Sequence, residues 1–305
     1  MMPSDSQPNP KYWLRLTVFF LVSLTIALLG TPLVLGALSM VGLLYVPCSQ
    51  TAATPADYGY QPQTVTLPAR AGGHFKGYFI PGSNGAAIIM PPHYSSGRSV
   101  RLPEMDILAR RGYAIFMFES RRCAGMGPLS LGYSEVDEVA DALDYLLSRD
   151  DVDPHRIGIY GFSSAGATAI MAAARLPQLK AVVAEGGYGD FVDNALGQHN
   201  GEGLIAYFLP LFRWSSRQTY RWVTGVEIDN LSPVSVINQI APRPILLVYG
   251  STEVSLPGGR RQKEAAGSNA SLWVVAGAGH GNYLSVAGAE YEGRIVSFFN
   301  QALLQ

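Results

Sequence analysis

Cysteine is nearly missing from these 305 residues: Cys48 and Cys123 are too few, and too far apart in sequence, for a disulfide framework or a metal site. Histidine is also sparse. The five present are scattered, with no HExxH pair and no His/Cys cluster, so no metal and no cofactor are expected. Charged residues make up only 15% of the chain, the net charge is −1 and no dense basic run occurs, which argues against a nucleic-acid partner. Internal repeats and long low-complexity tracts are absent. What the chain does have is apolar residues, 48% of the total. Beyond the N-terminal segment roughly 250 residues remain, enough for one sizeable α/β domain.

Charge is absent longest near the N-terminus. Lys11 and Arg15 precede a mostly apolar stretch from Leu16 to Val46, and the next charge is Asp57. At ~1.5 Å per residue that stretch exceeds the ~30 Å hydrocarbon core of a bilayer. Gly30-Thr31-Pro32 is expected to kink or divide it. The reading is a cytoplasmic N-terminus (1–15), a single membrane anchor (16–46), a polar linker (47–63) and a folded domain (64–305). A cleaved signal peptide is the alternative, although no A-x-A site follows. Basic residues lie only on the N-terminal side, which places the folded domain outside the cytoplasm.

The domain alternates between two periodicities. Strands are expected at Thr64–Leu67, Lys76–Ile80, Ala86–Met90, Ala114–Phe118, Ile157–Tyr160, Ala181–Ala184, Ile245–Tyr249 and Leu272–Val275. A Gly72-Gly73 turn joins the first two and places His74 in the hairpin. Helices are expected over Leu102–Arg111, after Ser134 with Asp137 completing a capping box, through the Ala-rich run ending at Arg175, and around Glu290–Leu303. This alternation predicts an α/β fold with a mostly parallel sheet covered on both faces.

Between the strand at Ile157 and the Ala-rich helix lies Gly161-Phe162-Ser163-Ser164-Ala165-Gly166. A strand entering a helix through Gly-x-Ser-x-small is the nucleophile elbow of serine hydrolases, which makes Ser163 the nucleophile. The Ser164 amide, at the helix N-terminus, is one oxyanion donor. A base must follow later in the chain. His280, in Gly279-His280-Gly281-Asn282 past the last strand, fits; His74, His93, His155 and His199 fit worse. The acid lies between, just past a strand. Glu253, three residues after Gly250, is preferred over Glu185, Asp190 and the more distant Asp229. The second oxyanion donor comes from the loop Pro91-Pro92-His93-Tyr94. The prolines have no N–H, so His93 or Tyr94 must supply it.

These residues resemble the alpha/beta-hydrolase superfamily, in particular its membrane-anchored members grouped with serine aminopeptidases and alpha/beta-hydrolase-domain acyl hydrolases. The resemblance covers most of residues 54–303. It rests on Thr54–Gly59, Arg111-Gly112-Tyr113, Leu131-Gly132-Tyr133 with Glu135, Arg156–Gly166, Ser232-Pro233, Arg243-Pro244, the Gly250-x-x-Glu253 turn and Gly277–Gly281. It implies an eight-stranded sheet and a Ser-acid-His triad, matching Ser163, Glu253 and His280. Three positions depart: Pro91-Pro92 for His-Gly, Glu119–Cys123 for an Asp-x-Arg-Gly turn, and Ala165 for glycine. A cap insertion at about 194–228 carries an aromatic run, Tyr207–Trp214 with Tyr220 and Trp222; it reads equally as a lid over an apolar acyl pocket or as helices packed on the sheet. The expected activity is cleavage of carboxylic esters or thioesters of apolar, lipid-like acyl groups. A serine peptidase, or a catalytically weak membrane-tethered binding protein, is the alternative.

Overall fold

The computed structural model describes residues 10–197 and 203–305. Its chain divides into two compact units, Leu43–Gln198 with Val226–Gln305, and Met1–Gly42 with His199–Gly225.

The larger unit is built on eight strands: β1 Gln63–Pro68, β2 His74–Ile80, β3 Ala87–Met90, β4 Ala114–Phe118, β5 Ile157–Phe162, β6 Leu179–Glu185, β7 Ile245–Gly250 and β8 Ala270–Val275. They form one sheet in the order β1-β2-β4-β3-β5-β6-β7-β8. β1 and β2 are antiparallel to their neighbours, and β4, β3, β5, β6, β7 and β8 pair in parallel. Every residue of β3, β4, β5 and β7 is buried, as expected of parallel strands covered on both faces. This is the alpha/beta-hydrolase fold. His74 opens β2, so it belongs to the strand and not to the turn.

Among the described residues nine α-helices follow in chain order: α1 Pro10–Leu44, α2 Leu102–Ala109, α3 Glu135–Leu147, α4 Ser164–Arg175, α5 Phe191–Ala195, α6 Leu204–Thr224, α7 Pro233–Val236, α8 Leu256–Ala266 and α9 Tyr283–Leu303. α9 starts well before Glu290 and is broken at Gly288, which has non-helical angles (φ 50°, ψ −121°). Ser134 makes no side-chain cap on α3. Glu135 instead accepts the Ser130 and Gly132 amides at 2.8 and 2.9 Å, closing the turn that precedes the helix.

The two cysteines are joined. Cys48 and Cys123 form a disulfide across 75 residues, Cα atoms 4.9 Å apart. Separation in sequence was a poor guide because backbone pairing brings the segments together. The Ser49 amide donates to Ser95 O and the Gly97 amide to Ser49 O, both at 2.8 Å. Arg122 donates to the carbonyls of Val46 (3.2 Å), Tyr45 and Gly127 (both 3.3 Å). The Glu119–Cys123 turn is thus adapted to hold the chain that leaves α1.

The smaller unit pairs α1 with α6. α1 is long and apolar enough to cross a membrane. It begins at Pro10 and runs through Gly30-Thr31-Pro32 as one helix, so that sequence does not divide it. Among the described residues, every position of 10–29 is exposed, whereas Pro32, Gly36 and Met40 are buried. That four-residue spacing is one helix face. It meets α6: the Ser215 hydroxyl donates to Leu33 O (2.6 Å) and the Ser216 hydroxyl to Gly36 O (3.2 Å). A Cβ at Gly36 would lie 2.4 Å from Phe212 O, so only glycine allows this approach.

Candidate active site

The parallel strands deliver three side chains to one edge of the sheet. β5 ends at Phe162 and the chain turns sharply at Ser163 (φ 58°, ψ −127°) into α4. That left-handed conformation is costly for a serine and persists only where neighbours enforce it. Gly161 permits the turn, since a Cβ there would lie 2.1 Å from Ala165 O. Gly166 packs against the end of β6, where a Cβ would lie 2.9 Å from Glu185 O. Ala165 is therefore accommodated where a second glycine was expected.

The chain after β7 brings Glu253, and the chain after β8 brings His280. His280 Nε2 lies 3.0 Å from Ser163 Oγ, and His280 Nδ1 lies 2.7 Å from Glu253 Oε1. Glu253 is buried and fully occupied. Oε1 also accepts from the Ser255 hydroxyl (2.7 Å), while Oε2 accepts from the Gly250 amide (2.9 Å) and the Tyr283 hydroxyl (2.7 Å). Burial pushes its pKa up, but the hydrogen bonds from His280, Ser255, Gly250 and Tyr283 outweigh that and hold it below the ordinary value. An imidazole between a serine and an ionised carboxylate can take a proton on Nε2 while its Nδ1–H stays fixed.

The competing residues are otherwise engaged. Glu185 is wholly buried and accepts from Tyr160 (2.7 Å) and Tyr291 (2.5 Å). Asp190 pairs with Arg261 (2.8 Å) and with Ser232. Asp229 lies in a 3₁₀ turn before α7 and does not line the cleft. His155 follows the Asp153 turn before β5. His199 lies outside the described residues.

On the oxyanion side, Tyr94 (φ 50°) lines the cleft and its amide donates to Ser164 Oγ at 2.7 Å. Ser164, the first residue of α4, presents its own amide at the helix N-terminus. His93 contributes a ring packed edge-on against Phe162, 5.3 Å between centroids. Burial, together with Arg101 and His280, pushes its pKa down to about 4, so the ring is neutral.

Four residues that sequence reasoning passed over complete the site. Ser255 and Tyr283 hold Glu253, as described. Gly186 (φ +58°) lies under the acid–base pair: a Cβ there would be 2.5 Å from Tyr283 Oη, 2.7 Å from Glu253 Oε1 and 2.9 Å from His280 Nδ1. Arg101 (φ 54°) lays its guanidinium 4.4 Å over the Phe162 ring and donates to Gly281 O at 3.1 Å. Phe162 in turn packs on the His280 ring at 4.8 Å. Among the described residues the only non-glycines with positive φ are Tyr94, Arg101, Leu131 and Ser163. Three of them line the cleft and the fourth braces its floor, a clustering expected of a functional site.

The cleft has a volume of about 410 Å³. Leu43, Leu131, Tyr188, Phe191 and Val254 give it apolar walls, and among the described residues Glu253 is the only aspartate, glutamate, lysine or arginine in its lining.

The X-Pro dipeptidyl-peptidase (S15) family profile matches residues 44–210, more than half of the chain and including the elbow. The chain belongs to that family. Other proteins are similar to it over longer spans. The uncharacterised protein YfhR of Escherichia coli strain K12 is 25% identical over 222 residues, 66% of this chain and 67% of YfhR. An esterase from Pyrococcus furiosus superposes with a TM-score of 0.68 at 18% identity, covering 86% of this chain and 98% of the esterase. A puromycin-hydrolysing peptidase of Mycobacterium tuberculosis gives 0.64 at 19% identity, over 83% of this chain and 42% of the peptidase. These S15-family and hydrolase likenesses support a hydrolase.

Proposed function

We propose that the chain is a serine hydrolase that cleaves carboxylic esters or thioesters of apolar acyl groups through an acyl-enzyme. The unbroken chain from Ser163 Oγ through His280 to Glu253, at 3.0 and 2.7 Å, carries this reading. Ser163 Oγ attacks the acyl carbonyl while His280 Nε2 takes its proton. The tetrahedral oxyanion is held by the Ser164 and Tyr94 amides, the latter turning from the Ser164 hydroxyl. His280 then protonates the leaving alcohol or thiol. Water, deprotonated by the same nitrogen, attacks the acyl-serine and releases the acid. No cofactor enters these steps.

The apolar walls support an uncharged acyl group. The family match favours a second reading, release of X-Pro dipeptides. A free peptide N-terminus calls for an acidic partner, and among the described residues the lining supplies no carboxylate besides Glu253. We infer further that α1 anchors the chain in a membrane with the hydrolase domain on the outer side. The Cys48–Cys123 disulfide supports this, because such bonds persist in oxidising compartments.

The test is stoichiometric labelling of the full chain with an activated phosphonate, beside Ser163→Ala and Ser164→Ala. Labelling lost only in Ser163→Ala, with ester turnover reduced about 10⁴-fold or more, is expected. A folded parent that takes no label overturns the enzyme reading. Faster turnover of an aminoacyl-prolyl anilide than of acyl esters turns the assignment to the peptidase.

A further inference from the structure

We propose that α6 is a second membrane-contacting element: with the C-terminal part of α1 it forms a two-helix platform seated in the outer interface of the bilayer that α1 crosses. The inference rests on α1 being the anchor and concerns the smaller unit alone.

Three observations place it there. The first is depth. Arg15 is the last charge before the apolar run, and about 20 residues of helix span the hydrocarbon core. Counting 20 residues from Leu16 reaches Leu35. α6 joins α1 at Leu33 and Gly36, two residues before that boundary and one after it. The second is the contact itself, made by Gly36 and two serine hydroxyls bonded to backbone carbonyls, the small-residue packing that lets helices associate beside lipid.

The third is the outward face. Tyr207 and Trp214 are seven residues apart, hence on one side of α6, and are 80% and 57% exposed; Ile205 near the helix start and Trp222 near its end are exposed too. On α1, Val34, Leu35 and Leu38 are likewise exposed. Aromatic and aliphatic side chains laid open at the depth where a bilayer changes from hydrocarbon to headgroup are the residue types favoured there. α6 carries no charge until Arg213, with Arg217 and Arg221 following at four-residue intervals, so its first half is the more apolar. The occupant of this face is lipid, because the same helix that supports α6 continues into the bilayer.

The test uses the full chain in phosphatidylethanolamine–phosphatidylglycerol vesicles carrying spin-labelled lipids. One variant keeps Trp214 alone (Trp13→Phe, Trp222→Phe, Trp273→Phe) and a second keeps Trp13 alone. Trp214 emission should fall about twofold or more with a label near the headgroup, and less with one near the chain end. Ready quenching of Trp214 by aqueous iodide with no effect of labelled lipid overturns the proposal. Shielding from both overturns it in favour of a second copy covering the face. Trp13 separates the readings beneath: if it also escapes every lipid label, the anchor itself falls and the platform with it. Photoactivatable phospholipid crosslinking of the unaltered chain asks the same question without substitutions. Adducts on the segment carrying Tyr207 and Trp214 support the platform, and their absence beside adducts on α1 sinks it.

Discussion

The two halves of the cleft differ in how completely their polar groups are engaged. On the acid–base side both Glu253 oxygens carry two hydrogen bonds each, and His280 is held between Glu253 and Ser163. On the oxyanion side the Tyr94 amide is already bonded to Ser164 Oγ, and His93 Nδ1 is buried without a hydrogen-bond partner among the described residues. The first half is pre-organised for proton transfer. In the proposed reaction the second exchanges a hydroxyl for an oxyanion. Errors of placement should therefore cost more on the acid–base side than lost hydroxyls do on the other.

The sharpest way to break that contrast is Gly186→Ala. Its methyl would press on Tyr283, Glu253 and His280 together, and about a 100-fold loss in kcat/KM is expected with the fold intact by circular dichroism. Near-parental activity would mean that the acid–base geometry is loose. A smaller effect is expected from Arg101→Met, which keeps bulk but removes the charge over Phe162 and the bond to Gly281 O. About a tenfold loss should appear, and Arg101→Lys should restore only part of it, because an ammonium cannot stack as a planar guanidinium does. Full rescue by lysine would reduce Arg101 to a point charge.

Stability offers a third measurement. Burial pushes Glu138 up to about 8 and Glu185 up to about 7. Between the unfolded value near 4.3 and those values the folded state holds more protons than the unfolded chain, so stability falls as pH rises through that window. Glu253, held below its ordinary value, acts the other way and withdraws its contribution only as pH falls through its folded pKa. Tm should thus be higher at mildly acidic pH than at pH about 8, by roughly 5 °C. Glu138→Gln should flatten that slope; an unchanged slope would show that Arg121, 3.3 Å away, already holds Glu138 ionised. The smallest effect belongs to the oxyanion side. Ser164→Ala keeps the Ser164 amide and frees that of Tyr94, so ester turnover should stay within about threefold of the parent. A loss near 100-fold would make the hydroxyl itself a donor to the oxyanion.

The residues legible in the sequence are those whose local pattern announces them. The elbow around Ser163 is a contiguous strand–turn–helix signal, and Glu253 and His280 each follow a strand end marked by glycine. The residues that support them belong to no such pattern. Arg101 reaches the loop of Gly281 across 180 residues, and Gly186 matters only because Tyr283, Glu253 and His280 converge on it. Gly166 shows the limit from the other side: the superfamily pattern marks a glycine at 165, whereas the backbone of Glu185 demands it one residue later. Helix α8 was not anticipated at all, since Leu256–Ala266 contains two glycines and a proline that locally argue against a helix. Its place is set by packing against the β7 side, where Gln262 bonds Tyr249 (2.8 Å) and Tyr188 O (2.9 Å).

On the proposed anchoring through α1, the disulfide also changes what it would take to detach the domain. Cys48 lies four residues beyond the end of α1, and its partner Cys123 lies in the turn after β4, inside the sheet's own loops. The chain from 49 to 122, including the polar stretch that leads to β1, is therefore a covalently closed loop in parallel with the bridge. A single proteolytic cut anywhere along it leaves both pieces joined, and separating them there would need a reductant as well as a protease. A pull on α1 is carried directly to the turn after β4, bypassing β1 and β2.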